Sequence, residues 1–330
     1  MSRLTEWFLH FGSQPGGFML QTTIMRKIEC TGIGLHSGKQ VKLVLRPAVE
    51  DTGIVFHVSG PDGKRDIAPS PEAVIATGLA TTLGKAGVAV STVEHLLAAL
   101  RGLGVDNVHI DADGGEIPIM DGSAAPFVML IAEAGVRTQG KARRVLRIRK
   151  TVNFAQGNKG IKAEPHDGFA VDYSIDFPHP LIGRQRMVLE VTPRSFSRVA
   201  KARTFGFLRD VEMMQERGLA LGGSLDNAVV LDERGVLNKE GLRYADEFVR
   251  HKLLDFIGDM AMLPLPLQGR FTVSCSGHAL NNEFLRHIAA AGSLYLEEAR
   301  LGVDAAVAAP RRRPQTQPAD ELTAAHAFAG

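Results

Sequence analysis

Residues 247–260 read EFVRHKLLDFIGDM, an apolar stretch that also carries ionisable side chains at intervals of four residues. Side chains at such intervals lie on one face of an α-helix. The stretch therefore predicts a helix with His251, Asp255 and Asp259 on one face. A second, apolar stripe comprises Val249, Leu253, Phe256 and Met260. The ordinary interpretation of the ionisable face is a solvated polar surface, so a functional interpretation needs support from elsewhere in the chain.

That support comes from STVEHLLAALRGLG at residues 91–104, which predicts another helix that is ended by glycines. Ser91 and Glu94 have the spacing of a capping box, and in that case Glu94 would only stabilise the helix start. His95 is harder to explain by local structure. Ala99 rather than an acid lies four residues after it, so any partner of His95 must come from another part of the fold.

His95, His251 and Asp255 together would form a set of two histidines and one carboxylate. Three protein ligands leave one position of a zinc ion open for water, which is the catalytic rather than the structural pattern. Iron accepts the same ligands. Glu94, next to His95, would then be the base that takes a proton from that water. A closed structural metal site is the alternative, and Cys275 is its candidate fourth ligand.

Two further polar groups are candidates for catalysis. The segment SCSGHALNN (274–282) carries His278, and Asp259 could accept a hydrogen bond from it and hold it as an imidazolium. Such a cation is a suitable general acid, and with a carboxylate base it predicts a bell-shaped pH profile. Thr204 in KARTFGFLRD (201–210) could donate to an oxyanion. The alternatives are a surface histidine in a turn and a threonine that only packs in one.

The order of predicted elements indicates an α+β fold. VKLVLRPA (41–48), NVHIDADG (107–114) and FAVDYSIDF (169–177) have the alternation typical of strands. Both halves of the chain run helix, strand, turn and helix. This repetition predicts two similar α+β domains packed face to face, each a β-sheet with helices on one side. Further helices are predicted at 123–135, 194–217, 245–263 and 279–292.

The domain boundaries follow from changes in composition. The first domain is predicted at 22–140 and the second at 141–303, with the polar and basic segment VRTQGKARR (136–144) as a linker. Residues 1–21 contain SQPGG and are expected to be a loose extension. Residues 304–330 are rich in Ala, Pro and charge and are predicted to be disordered.

Composition excludes several classes of protein. A net charge of +2 is too small to indicate a nucleic-acid partner, and no apolar run is long enough to span a membrane. Cys30 and Cys275 lie far apart without a CxxC motif, which predicts reduced thiols and a cytoplasmic protein. The basic strand VLRIRK (145–150) could contact a diphosphate, but a solvated edge strand is the simpler interpretation.

Taken together, these motifs resemble the UDP-3-O-acyl-N-acetylglucosamine deacetylases, the zinc hydrolases of lipid A biosynthesis in Gram-negative bacteria. The resemblance covers roughly residues 22–300 in family order. It implies two similar α+β domains whose helical layers face each other, with the active site at their interface. The matching segments are TGIGLHSG (31–38), STVEHLLAAL (91–100), EIPIMDGSAAPFV (116–128), IDFPHP (175–180), ARTFGFLRD (202–210), GLALGGSLDNAVV (218–230), FVRHKLLDFIGD (248–259) and SGHALNN (276–282).

The resemblance also implies a role for each site residue. The metal ligands would be His95, His251 and Asp255. The catalytic group would comprise Glu94 as base, His278 as acid, Asp259 as its orienting partner, Thr204 at the oxyanion and Lys252 near substrate charge. The substrate would contact Phe177 and Asp176 at its uracil and ribose, and Phe205, Leu208 and Val211 along its acyl chain.

The resemblance implies removal of the N-acetyl group of an acylated UDP-sugar, with release of acetate. A monomer is expected, because the site is predicted to form between domains of one chain. Two alternatives remain open at this stage. One is a zinc amidohydrolase of another acylated sugar nucleotide, and the other is a non-catalytic metal-containing protein that binds lipid or nucleotide.

Overall fold

The computed structural model describes residues 19–60 and 63–302. These residues form a mixed α+β fold with several sheets, as the sequence predicts. Most of the predicted extension (residues 1–18) and the predicted tail (304–330) lie outside the described residues. The first strand begins at Leu20, so it includes the last two residues of that predicted extension. Among the described helices, none has the length and apolar character needed to cross a membrane.

The strands fall in both halves of the chain. In chain order they are β1 (Leu20–Ile24), β2 (Ile28–Ile33), β3 (Gln40–Pro47), β4 (Ile54–Gly60), β5 (Gly63–Ile67), β6 (Val74–Ala76), β7 (Thr82–Lys85), β8 (Val88–Val90), β9 (Val108–Asp113), β10 (Val136–Ala142), β11 (Arg144–Ile148), β12 (Val152–Gln156), β13 (Lys159–Glu164), β14 (Phe169–Phe177), β15 (Gly183–Glu190), β16 (Phe205–Phe207), β17 (Val229–Leu231), β18 (Leu267–Ser274) and β19 (Leu296–Arg300).

The helices of the described residues are fewer. They are α1 (Glu94–Gly102), α2 (Ala125–Ala134), α3 (Pro193–Phe196), α4 (Leu208–Glu216), α5 (Glu247–Met260) and α6 (His278–Ala291), with a short 3-10 helix at Gly292–Leu294. The order α1, β9, α2 recurs as α5, β18, α6, which is the repetition predicted from the sequence.

The first half of the chain contains a five-stranded sheet of order β2-β3-β9-β4-β5. Strand β9 pairs antiparallel with β3 and parallel with β4. Val108, Ile110 and Ala112 of β9 are buried, and they alternate with more exposed residues. A smaller antiparallel sheet, β6-β7-β8, contacts its β4 and β5 side. Helices α1 and α2 pack against each other, and α2 contacts β2.

The second half is built around β18. This strand pairs antiparallel with β13 and parallel with β14 and β11. Phe169 and Tyr173 of β14 are buried and contact Phe256 of α5, which also contacts Phe271 of β18. Burial of each such aromatic side chain contributes about 1.5–3 kcal/mol. The alternating apolar residues of FAVDYSIDF therefore form the face of β14 against which α5 packs.

Helix α5 is buried on almost every side. All of its residues are buried except Arg250 and Lys252. The predicted apolar stripe is confirmed, and the solvated interpretation of the ionisable face is excluded. That face meets α1, and the backbones approach closely at Gly258, where an added Cβ would lie 2.0 Å from the Glu94 carbonyl oxygen.

One helix prediction is wrong. The segment 194–217 is not a single helix, because β16 separates α3 from α4. Helix α3 is one turn capped by Thr192, whose side chain accepts a hydrogen bond from the Ser195 amide. Strand β16 forms because it pairs in parallel with β17. Long-range strand pairing thus overrides the helical pattern of the segment.

The middle of the chain is paired into sheets, and one prediction there is wrong. Nearly all of the predicted linker 136–144 lies in β10, which pairs with β1, and at the start of β11. The VLRIRK segment (145–150) is not an edge strand, because β11 lies between β18 and β19. The basic side chains of this segment predict an exposed edge, but the backbone of β11 forms hydrogen bonds with a strand on each side.

Candidate metal centre

Glu94 is the first residue of α1 and lies in the protein interior. The predicted capping box is wrong, because Val93 rather than Ser91 is the N-cap and no side chain caps the helix. Ser91 instead forms an isolated β-bridge with Glu116. The Glu94 side chain therefore does not cap the helix. It is buried, and one of its oxygens accepts a hydrogen bond from the Thr81 amide at 3.1 Å.

His95, His251 and Asp255 converge from α1 and α5. Each offers one ligand atom, and these atoms lie within 4.8 Å of one another. Asp255 Oδ1 is 3.5 Å from His95 Nε2 and 3.3 Å from His251 Nε2. None of the three residues is more than 4% exposed. The sequence-predicted donor set is therefore assembled in one buried place.

The donor set fits a metal ion. Asp255 Oδ1 is buried and has no hydrogen-bond partner among the described residues, although it faces two imidazole nitrogens. A buried carboxylate oxygen without a partner is costly. A divalent cation between the three donors would remove that cost. This buried group could hold a metal ion.

The surrounding residues set the protonation of the ligands. Burial lowers the pKa of His251 to about 3, so its imidazole is neutral at neutral pH. Its Nδ1 lies 3.1 Å from the Ala202 carbonyl and can donate to it, which leaves Nε2 for a metal. Burial alone would raise the pKa of Asp255, but His251 and Lys252 more than offset it and hold that pKa well below its usual value. Lys252 Nζ donates to Asp255 Oδ2 at 2.9 Å.

His278 and Asp259 form a second group next to the donors. His278 Nδ1 lies 2.8 Å from Asp259 Oδ2, and its Nε2 lies 3.9 Å from Glu94 Oε1. Burial is the largest influence and lowers the pKa of His278. Asp259, with Glu94 and Asp255, outweighs it and raises that pKa to about 10. His278 is thus an imidazolium at neutral pH, with Nε2 3.9 Å from Glu94 Oε1 and 4.0 Å from Asp255 Oδ2.

Sequence reasoning missed two residues that hold this group. Thr81 Oγ1 donates to Asp259 Oδ1 at 2.7 Å, and Asn281 Nδ2 donates to Asp259 Oδ2 at 2.7 Å. Asn281 lies three residues after His278, and that helical spacing could have revealed it. Thr81 precedes β7, outside both helices, and lies 178 residues before Asp259. No local pattern marks it.

The other predicted site residues surround the donors at different distances. The Phe205 ring lies 6.3 Å from the His251 ring and 5.7 Å from Lys252 Nζ. Phe205 also contacts Phe177, with 5.6 Å between ring centroids. Thr204 is half-buried, and its backbone bonds to Gly122 and Val229. Phe205 and Lys252 therefore lie beside the donors, and Phe177 reaches them through Phe205.

Asp176, Leu208 and Val211 lie further out. Asp176 is exposed and forms an ion pair with Arg184. Leu208 and Val211 belong to α4, which has no buried residue. Helix α4 and the loop after it expose several apolar side chains, which are Leu208, Met213, Leu219, Leu221 and Leu225. An exposed apolar patch of this kind is typical of a binding surface.

A family model described as UDP-3-O-acyl N-acetylglycosamine deacetylase (LpxC) matches residues 21–290. The chain belongs to this family. The predicted resemblance is thereby confirmed.

Similar relatives are named UDP-3-O-acyl-N-acetylglucosamine deacetylase. The Nitratidesulfovibrio vulgaris protein is 62% identical over 285 residues, which cover 86% of this chain and 92% of the relative. The Oleidesulfovibrio alaskensis protein is 63% identical over 284 residues, covering 86% and 93% respectively. The Lawsonia intracellularis protein is 56% identical over 270 residues, covering 82% and 89%.

Proposed function

We propose that this protein is a metal-dependent deacetylase of lipid A biosynthesis. It hydrolyses the N-acetyl group of UDP-3-O-(hydroxyacyl)-N-acetylglucosamine to give acetate and the free amine. The observation that carries the proposal is the buried His95, His251 and Asp255 group with Glu94 beside it, in a chain of the deacetylase family. The names of the relatives supply the substrate.

The metal is zinc in this proposal, with ferrous iron as the alternative in the cell. His95, His251 and Asp255 would hold it, and two histidines with one carboxylate suit both ions. When bound, the ion would polarise the acetamide carbonyl and lower the pKa of water. Elemental analysis of protein purified without added metal distinguishes the two ions.

The chain's own residues would move the protons. Glu94 is the general base that accepts a proton from the attacking water. His278 is the general acid that protonates the departing amine, and Asp259 orients it through the 2.8 Å contact at Nδ1. The imidazolium also offsets the negative charge of the tetrahedral intermediate, together with Thr204. Lys252 contributes positive charge next to Asp255.

The substrate would lie across the residues around this group. Phe177 and Asp176 are proposed to contact the uracil and ribose. Phe205, Leu208 and Val211 are proposed to line the path of the acyl chain, and the exposed apolar side chains of α4 support that assignment. A hydrocarbon chain there would cover surface that otherwise faces water.

The domain arrangement is part of the proposal. Residues 22–140 and 141–303 would form two similar domains whose helical layers face each other, with the site between them. The contact of α1 with α5 supports this arrangement, since the donors come from both helices. A site made within one chain needs no second copy, so the protein is proposed to act as a cytoplasmic monomer on a small-molecule substrate.

The decisive experiment measures acetate release from the acylated UDP-sugar with and without a chelator. Glu94→Ala should lose roughly 10²–10⁴-fold in kcat, the usual contribution of a general base, and should retain its metal. His95→Ala should lose the metal itself. Glu133→Ala is a matched control, because Glu133 is exposed and, among residues 19–60 and 63–302, forms its ion pair with Arg26.

Two results would refute the assignment. One is a Glu94→Ala enzyme that turns over near the parent rate, and the other is a His95→Ala protein with full metal occupancy. Release of acetate from a sugar nucleotide without the 3-O-acyl chain at the same rate would point to the alternative amidohydrolase.

A further inference from the structure

A cavity of about 290 Å³ lies apart from the metal centre. Its walls come from both halves of the chain, including the end of α1, the start of β11 and the segment 261–266 that follows α5. It shares no residue with the predicted catalytic and metal-binding set. Arg101 lines it and lies seven residues after Glu94, which is about 10 Å along the helix axis.

Arg101 is the distinctive group of this cavity. It lies in the last turn of α1 and is half-buried. Its guanidinium makes no hydrogen bond or ion pair with any residue in 19–60 or 63–302. Asp106 and Arg143 act on it only through their longer-range charge. An arginine normally uses several of its five donors when it is withdrawn from water.

The acids in the cavity wall are bound to other groups. Asp106 accepts from Arg143 Nε at 2.9 Å and from the Thr22 amide at 3.1 Å. Glu298 accepts two hydrogen bonds from Arg144.

The third acid, Asp51, pairs with Lys141 and Gln21. Each acid of the wall therefore already has a cation of its own, and the charge of Arg101 remains without a counterion. Burial lowers the pKa of Arg101 to about 10, which is the expected effect on an uncompensated cation.

The remainder of the wall is largely apolar. Ile54, Leu263 and Pro266 contribute to it. The volume is close to the lower end of the range for small-molecule pockets, about 300 Å³. A bare ion would leave most of this space and its apolar wall unused. The shape fits a charged head on Arg101 with a short apolar body.

We propose that this cavity binds a small organic anion, with a carboxylate or phosphate monoester on Arg101 and an apolar body against Leu263 and Pro266. Such a ligand would contact both halves of the chain at a distance from the catalytic groups. Its binding is independent of the proposed deacetylase function, because no residue is shared between the two sites.

The test is calorimetric titration of the metal-loaded protein with hexanoate, phenyl phosphate and inorganic phosphate. Hexanoate or phenyl phosphate should bind with a Kd below about 1 mM. Arg101→Met should weaken binding at least about tenfold. Leu265→Trp retains Arg101 but fills the cavity from a half-buried lining position, and it should weaken binding equally.

Controls separate this site from others. Arg26→Met removes an arginine whose side chain is 64% exposed, and it should leave the Kd unchanged. Both cavity variants should retain parental deacetylase activity without anion, which shows that they fold. The proposal is overturned if neither organic probe binds at about 10 mM. It is also overturned if Arg101→Met binds as tightly as the parent, which would place the anion at the metal centre, or if inorganic phosphate matches phenyl phosphate.

Discussion

At the scale of single residues, Thr81 connects two carboxylates that have different proposed roles. Its amide donates to Glu94 and its hydroxyl donates to Asp259, so one residue positions both the proposed base and the partner of the proposed acid. Thr81 is only 2% exposed. Removing the hydroxyl would leave one Asp259 oxygen without this donor, while the amide bond to Glu94 would survive.

Thr81→Val should therefore lower kcat with little change in KM. A buried hydrogen bond to a charged group is worth about 1.5–3 kcal/mol, which corresponds to roughly a 10–100-fold loss. Thr81→Ser restores the hydroxyl and should recover most of the rate. Steady-state kinetics and metal content of all three proteins measure the effect. A Thr81→Ser enzyme as slow as Thr81→Val would indicate that Thr81 contributes only packing.

The candidate donor residues could be predicted from the sequence, and Asn281 could have been found from its helical spacing, whereas Thr81 could not. His251 and Asp255 share a helix face, and His95 lacks a local partner, so convergence was a reasonable hypothesis from spacing and ligand chemistry alone. Thr81 enters the site through a long-range contact with no periodic signal. The sequence also allows Glu94 a capping role, which the structure excludes.

At the scale of secondary-structure elements, the site depends on how closely α1 approaches α5. Gly258 permits that approach, because any Cβ at this position would meet Glu94 backbone atoms at 2.0–3.0 Å. Gly258→Ala should force the two helices apart and destabilise the protein by about 1–3 kcal/mol. Because the donors lie on both helices, metal affinity should fall as well.

Chemical denaturation and metal retention during dialysis against a weak chelator measure both effects. Gly235→Ala is the matched control, since an added Cβ there meets nothing within 4 Å. Equal stability and equal metal retention for the two variants would show that the helices can move apart without consequence for the site.

Some secondary-structure elements could be predicted from the sequence and others could not. Helix α5 and strand β14 follow from their apolar periodicities, because each buries a regular face. Strand β16 was missed within the segment 194–217. Its three residues are too few to establish a period, and pairing with β17, more than twenty residues later, makes them a strand. The residues next to β16 in the sequence give no indication of such long-range pairing.

At the scale of the whole molecule, the two halves meet in at least two places where a ligand would touch both. The metal donors come from α1 and α5, and the Arg101 cavity is walled by residues before 108 and after 142. Either ligand binds the folded chain but not the separated halves. Both should therefore contribute to the free energy of unfolding by mass action.

Metal removal should consequently lower the thermal stability of the protein. An ion at 100 times its Kd stabilises the folded state by about 2.7 kcal/mol. An unfolding entropy of about 2.1 cal/mol/K per residue makes each kcal/mol correspond to roughly 1.5–2 °C in Tm for a chain of this size, so chelation should lower Tm by about 4–5 °C. The physical reason is that three donors on two helices lose their shared cation, and the buried Asp255 oxygen again lacks a partner.

Differential scanning calorimetry of the parent and of His251→Ala, each with and without chelator, measures this contribution. The variant lacks one donor, so its Tm should not respond to the chelator. Arg26→Met leaves the donors intact and should respond as the parent does. A parent whose Tm is unchanged by complete metal removal would show that the ion does not hold the two helices together. In that case the contact of α1 with α5 would owe its stability to packing alone.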